Sequence, residues 1–168
     1  MAVLTRKEIL DLIRKKELEI KPFKKRNVGA TSVDLTLSNE FRIFDGGERI
    51  TLSEDLDIKD YTSFVKRKEI LLEPWDFVVG ITKERIKMPN SLIGFLTGRT
   101  RYARFGLVVH STASLIQPGT NNRQVLEIYN VSPNILRIKA GMRICQVVFQ
   151  RLESEASYRG KFKNQVEL

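Results

Sequence analysis

Apolar and polar residues recur at helical spacing at the start of this chain and alternate with period two afterwards. Thr5 and Glu8 form a capping box, and Ile9, Leu12 and Ile13 follow at helical intervals, which predicts one N-terminal helix. Beyond "LEIKPF" the period changes. "SVDLTL" (32–37) places Val33, Leu35 and Leu37 on one face, and "FRIF" (41–44) precedes an Asp45-Gly46-Gly47 turn. Residues 48–68 are charged and weakly patterned, predicting a long connection with short strands. Strand-like runs then recur: "EILLE" (69–73), "FVVGIT" (77–82), "SLIGFLTG" (91–98), "GLVVH" (106–110), "QVLEIYN" (124–130), "ILRIKA" (135–140) and "RICQVVF" (143–149). Pro74, Pro89-Asn90, Pro118-Gly119 and Pro133-Asn134 punctuate them. Many short strands at near-regular spacing predict a mainly β barrel or sandwich with an N-terminal helix. With no repeat and no linker composition, residues 1–168 read as one domain, 1–22 forming the helix and an entry strand.

In "QVLEIYN", alternation places Val125, Glu127 and Tyr129 on one face and Leu126, Ile128 and Asn130 on the other. An acid among apolar strand residues is either a solvated charge or a carboxylate held in a pocket. Periodicity alone leaves both open.

Composition narrows the chemistry. One histidine (His110) and one cysteine (Cys145) cannot build a His/Cys zinc site within one chain, and the His-x-Glu plus Cys-pair signature of zinc deaminases is absent. A Ser-His-Asp triad would need His110, with no nucleophile elbow beside it. His110 reads as a hydrogen-bonded strand end, and Cys145 as core. The single cysteine, the absence of a membrane-length apolar run and the lack of a signal-peptide pattern predict a cytoplasmic protein. A net charge of +9 fits polyanionic partners or a heavily charged, solvated surface.

"GRTRYARFG" (98–106) sharpens the first option. Gly98 permits tight backbone geometry, Thr100 is a candidate N-cap, and Arg101 and Arg104 share a face if a helical turn follows. Free N–H groups and guanidinium donors at a helix start suit a phosphate; a basic surface turn is the plainer reading. "STASLIQPGTNN" (111–122) reads as a strand end and a type II turn, with Gln117, Asn121 and Asn122 offering neutral hydrogen bonds. The tail "SYRGKFKNQ" (157–165) is basic and aromatic, as a disordered terminus, a flap over polyphosphate or a single-strand binder would be.

Together, "SVDLTLSNEFRIF", "ERIKMPNSLIGFLTGRT", "RYARFGLVVHSTASLIQPG", "VLEIYN", "AGMRICQVVF" and "YRGKFKNQ" resemble the dCTP deaminase family of the trimeric dUTPase-like superfamily. The resemblance covers most of the chain and implies a distorted, jelly-roll-like β-barrel of dUTPase type. It implies a homotrimer with active sites between subunits, acting on dCTP to give dUTP and ammonia, with no stable nucleic-acid or membrane partner. The general base falls on Glu127, with Arg104, Thr100 and the Ala113 carbonyl completing the catalytic group. Arg104 is expected to orient Glu127, while Thr100 and Ala113 hold the attacking water. Substrate contacts fall on Arg99, Thr100, Arg101, Tyr102, Ala103 and Arg104, on Gln117, and on Val125, Leu126 and Glu127. Gln146 and the tail residues Tyr158, Lys161 and Gln165 are further contacts, 157–168 closing over the nucleotide as a flexible tail. Mg²⁺ is expected on the phosphates, without zinc.

The chain departs from the family pattern in two places. Thr100-Arg101 replaces Ser-Ser, and Gln117-Pro118-Gly119-Thr120-Asn121-Asn122 replaces a "DPGY/W-x-G" turn, losing its Asp, its aromatic and its second glycine. Gln117 can hydrogen-bond a sugar hydroxyl but cannot act as a base at neutral pH, which argues against dUTP diphosphatase activity. The alternatives are a bifunctional deaminase/diphosphatase, a dUTPase-like hydrolase, or a non-catalytic basic nucleotide- or nucleic-acid-binding module.

Overall fold

The computed structural model describes residues 2–110 and 112–168. The expected helix is α1 (Arg6–Arg14): both halves of the Thr5/Glu8 capping box form, and Ile9 and Leu12 are buried. The strands are β1 (Glu19–Lys21), β2 (Ser32–Phe44), β3 (Thr62–Lys66), β4 (Glu69–Leu72), β5 (Phe77–Lys87), β6 (Leu92–Gly98), β7 (Leu107–Val109), β8 (Leu115–Ile116), β9 (Asn121–Asn130), β10 (Leu136–Lys139) and β11 (Arg143–Arg151). A four-residue helix, α2 (Thr100–Ala103), lies between β6 and β7. No helix among the described residues is long and apolar enough to cross a membrane.

All pairings are antiparallel. The main sheet runs β7-β9-β5-β2-β11-β6-β8, with β1 added to β5 and β3 to β2; β10 and β4 form a separate ribbon. Two expected strands, 32–37 and 41–44, fuse into β2, whose register against β5 shifts between Leu37 and Phe41. β5 likewise continues past "FVVGIT" through charged "KERIK". The reason is Glu84, which is buried and whose Oε2 accepts the Thr36 N–H at 2.7 Å, so a side chain replaces the interrupted ladder.

Inward-facing residues of the sheet form the core, with Leu35, Leu37, Phe41, Leu96, Leu126, Ile128, Val147 and Phe149 almost fully buried. Gly80 makes room for them: a Cβ there would stand 3.0 Å from Ile128 Cδ1 and 3.2 Å from Leu37 Cδ1. Cys145 belongs to this core, and burial, reinforced by the charges of Glu84 and Asp34, pushes its thiol far above the ordinary range. The thiol is therefore packing rather than chemistry.

At the end of β9, buried Asn130 fastens the loops beneath the strand. Its Nδ2 donates to the carbonyls of Leu72, Glu73 and Asn134 at 2.7–3.0 Å, while its Oδ1 accepts from the Ser132 N–H and hydroxyl. Asn130→Ala would strand several of these groups away from water, at about 1–3 kcal/mol for each one left unmet. We expect denaturant unfolding of Asn130→Ala to show a loss of roughly 3 kcal/mol; a loss below roughly 1 kcal/mol would mean that water replaces the side chain.

Candidate functional site

Strand alternation along β9 is as expected: Leu126, Ile128 and Asn130 are buried, whereas Val125, Glu127 and Tyr129 lie half-buried on the other face. Across the ladder Glu127 faces Val79 and Val125 faces Ile81, so the carboxylate stands in an apolar row. Its side chain is 30% exposed, yet Oε2 is buried and has no hydrogen-bond partner of good geometry.

Its neighbour is His110. Where β7 ends, the His110 N–H donates to the Glu127 carbonyl at 2.8 Å. A positive φ of 63° then turns the backbone. The imidazole, 9% exposed, has Nδ1 3.4 Å from Glu127 Oε2 and Nε2 2.6 Å from the Ala113 carbonyl. A carbonyl only accepts, so Nε2 carries hydrogen. A bond between Nδ1 and Oε2 then requires one more proton shared by the pair, and at 3.4 Å it is long. Glu127, His110 and Ala113 therefore lie in one polar row, with the imidazole bonded to the Ala113 carbonyl and its Nδ1 facing the sequestered oxygen of the acid.

Within one chain the polar neighbour of Glu127 is His110 rather than Arg104. Arg101 and Arg104 are exposed, and neither forms an ion pair among the described residues. The N-cap of α2 is Arg99 rather than Thr100, because the extended residue is Arg99 and Thr100 is already helical. Arg99 is committed elsewhere: its Nε pairs with Asp34 at 3.1 Å and its Nη1 donates to the Arg143 carbonyl. Tyr102 lies under the Arg99 guanidinium at 6.0 Å, and Ala103 is exposed at the end of the helix. Gln146 supports the same turn, accepting from the Ser32 hydroxyl at 2.9 Å and donating to the Gly98 carbonyl. α2 packs against β7, the strand that ends one residue before His110.

A cleft of about 380 Å³ opens beside Ala113 and includes Gln117, Asn122, Gln124, Tyr158 and Phe162 among its walls. It brings three expected contacts together: Ala113, Gln117 and Tyr158. The Pro118-Gly119 turn forms as expected, Gly119 having φ +72°. The Tyr158 N–H donates to the Pro118 carbonyl, which places the tail against the turn. Lys161 is exposed, and the Gln165 carbonyl is bound by β9. Among the described residues, no three His, Cys, Asp or Glu side chains converge as metal ligands.

A family model described as dCTP deaminase-like matches residues 3–152. The chain belongs to this family. It is 34% identical to a dUMP-forming dCTP deaminase of Persephonella marina, over 97% of this chain and 92% of that protein. It is 37% identical to a dCTP deaminase of Rhodospirillum rubrum, over 83% and 80%. In structure it resembles a 2′-deoxycytidine 5′-triphosphate deaminase of Agrobacterium tumefaciens, with a TM-score of 0.68 and 17% identity over 90% of this chain. The match spans 49% of that longer chain. A Staphylococcus phage 80alpha dUTPase matches with a TM-score of 0.51 at 16% identity, over 86% of this chain and 96% of the phage protein. At these identities the structural matches speak for the fold, a mainly β architecture of dUTPase type.

In this member of the dCTP deaminase-like family, local sequence does not single out His110 or Gln124, and it gives Asn122 only as a neutral hydrogen-bonding side chain of a turn. His110 reads locally as a strand end; the signal that places it is its position one residue beyond a run that can pair opposite Glu127. Asn122 and Gln124 line the cleft, but only the register of β9 puts them there.

Proposed function

We propose that the chain hydrolyses dCTP to dUTP and ammonia, with Glu127 carrying the proton. The observation that carries this reading is the polar row Glu127–His110–Ala113: an acid with one sequestered oxygen, faced by a single imidazole that is bonded to a backbone carbonyl, in a member of the dCTP deaminase-like family. Water attacks C4 of cytosine while Glu127 takes its proton. The same carboxyl delivers that proton to N3, then takes the proton of the new C4 hydroxyl and passes it to the amino group, so that the tetrahedral centre collapses to the C4 carbonyl as ammonia leaves, giving dUTP. The Ala113 carbonyl has a second lone pair free for that water while accepting from His110, and Thr100 offers a hydroxyl. Val125 and the backbone of Leu126 flank the base, Gln117 reaches the sugar, and Arg101, Lys161 and Gln165 face the phosphates, with Tyr158, Gln146 and Arg99, itself held by Asp34, supporting them.

The active unit of this proposal is a cytoplasmic homotrimer whose sites lie between subunits. Arg104 is exposed while Glu127 is half-buried with an unmet oxygen, so a neighbouring subunit supplies the guanidinium that orients the acid. Among the described residues no three carboxylate, His or Cys side chains gather as a metal cage, so Mg²⁺ would be held by the nucleotide's own oxygens and neutralise their charge.

A dUMP-forming reading rests on similarity to dUMP-forming dCTP deaminases such as that of Persephonella marina. Gln117 weighs against it, because an amide cannot activate a second water. Incubation with dCTP and Mg²⁺ should yield ammonia and dUTP in equal amounts, with no pyrophosphate. Release of pyrophosphate and dUMP would establish the bifunctional reaction. Absence of ammonia, together with salt-sensitive binding to oligonucleotides in preference to dCTP, would establish a binding module instead.

A further inference from the structure

Odd-numbered residues of β9 present their peptide groups to one edge of the strand. Near its end that edge is taken by β7, through the His110–Glu127 bond. Towards its start the same edge is taken by the tail: the Asn121 N–H donates to the Lys163 carbonyl at 2.8 Å, and the Arg123 N–H to the Gln165 carbonyl at 2.9 Å. The tail thus continues the line of β7 along the strand that carries Glu127.

Side chains reinforce the docking at three points. Asn122 Nδ2 donates to the Phe162 carbonyl at 2.9 Å, Arg123 Nη1 to the Val166 carbonyl at 3.1 Å, and Arg42 Nη2 to the Leu168 carbonyl at 3.2 Å. Leu168 is buried against Val79, Ile81 and Val125, on the Glu127 face of the sheet. The Asn122 contact is oriented by its surroundings. Gln124, which is 8% exposed, donates from Nε2 to Asn122 Oδ1 at 2.8 Å. With its oxygen so engaged, the Asn122 amide must turn its NH₂ to the Phe162 carbonyl. Where the family pattern has the second glycine of its turn, this chain has Asn122, a side chain able to hold the tail.

We propose that Asn122, aligned by Gln124, is a positioning residue that locks the tail onto β9 before nucleotide arrives. The inference rests on the deaminase reading for its kinetic consequence, because the locked segment carries Tyr158, Lys161 and Gln165 to the phosphates. A tail already held in place loses little further freedom when substrate binds, so the lock acts on affinity rather than on the chemical step.

Hydrogen exchange on the nucleotide-free protein, with steady-state kinetics on dCTP, tests this. The Asn121 and Arg123 amides should exchange slowly in the parent. Asn122→Asp keeps the acceptor for Gln124 but removes the donor to Phe162, and Leu168→Ser loosens the tail at its other end. Both variants should speed exchange at those two amides. Asn122→Asp should raise KM roughly 5- to 10-fold, the worth of one such hydrogen bond, with kcat changed less than about twofold. Free-chain exchange at Asn121 and Arg123 in the parent would overturn the proposal. So would an Asn122→Asp variant whose exchange and KM match the parent. The exchange result decides the lock even for a protein that releases no ammonia, so failure of the deaminase reading is distinguishable from failure of the lock.

Discussion

Glu127→Gln is expected to reduce ammonia release from dCTP by ~10²–10⁴-fold, the usual worth of a positioned general acid–base. Glutamine keeps the shape of the side chain and loses only the ability to take a proton from water and return it to the base. The fold should not suffer. Oε2 of Glu127 is buried without a good partner, opposite Nδ1 of His110. An amide NH₂ in that place can donate to the bare Nδ1, so the melting temperature should hold or rise. A variant that retains ammonia release within tenfold of the parent would remove Glu127 from the proton path. A variant that is inactive and markedly less stable would show the acid to be structural.

Mixing two inactive variants should restore activity. If Arg104 serves Glu127 of a neighbouring subunit, Arg104→Ala and Glu127→Gln disable different halves of the same site. Co-assembled at random in equal amounts, they should recover about a quarter of the parental activity, because each half of a site is intact with even odds. The structure motivates the test directly: within one chain the acid meets His110, while Arg104 is exposed. Activity no greater than that of the separate variants, after subunit exchange is verified by mass, would place Arg104 and Glu127 in one subunit.

Much of the architecture could be read from neighbouring residues. The Thr5/Glu8 box and the spacing of Ile9 and Leu12 define α1, and the period-two runs became β4 to β7, β9, β10 and β11 with modest shifts at their ends. The boundaries that moved did so for tertiary reasons. β5 runs on through "KERIK" because Glu84 is buried against β2, and no local pattern announces a charge that caps another strand's N–H. The same limit applies at the site. Residue types and order placed Glu127, Ala113 and the arginine turn within one family pattern, yet they could not say which of them meet.

By itself the sequence determined the secondary-structure period, the scarcity of metal-binding side chains and the chemistry that Glu127 can perform, because these depend on side-chain identity and on spacing along a few residues. Only the tertiary structure decided that His110 lies over Glu127, that Arg99 is spent on Asp34 and that Asn122 grips the tail. Those contacts join residues far apart in the chain: the first follows from the register of β7 on β9 and one positive φ, the second from β2 and β6 flanking β11, and the third from the tail lying along β9. Register is set by which faces are buried across the whole sheet, so it exists only once the strands have packed.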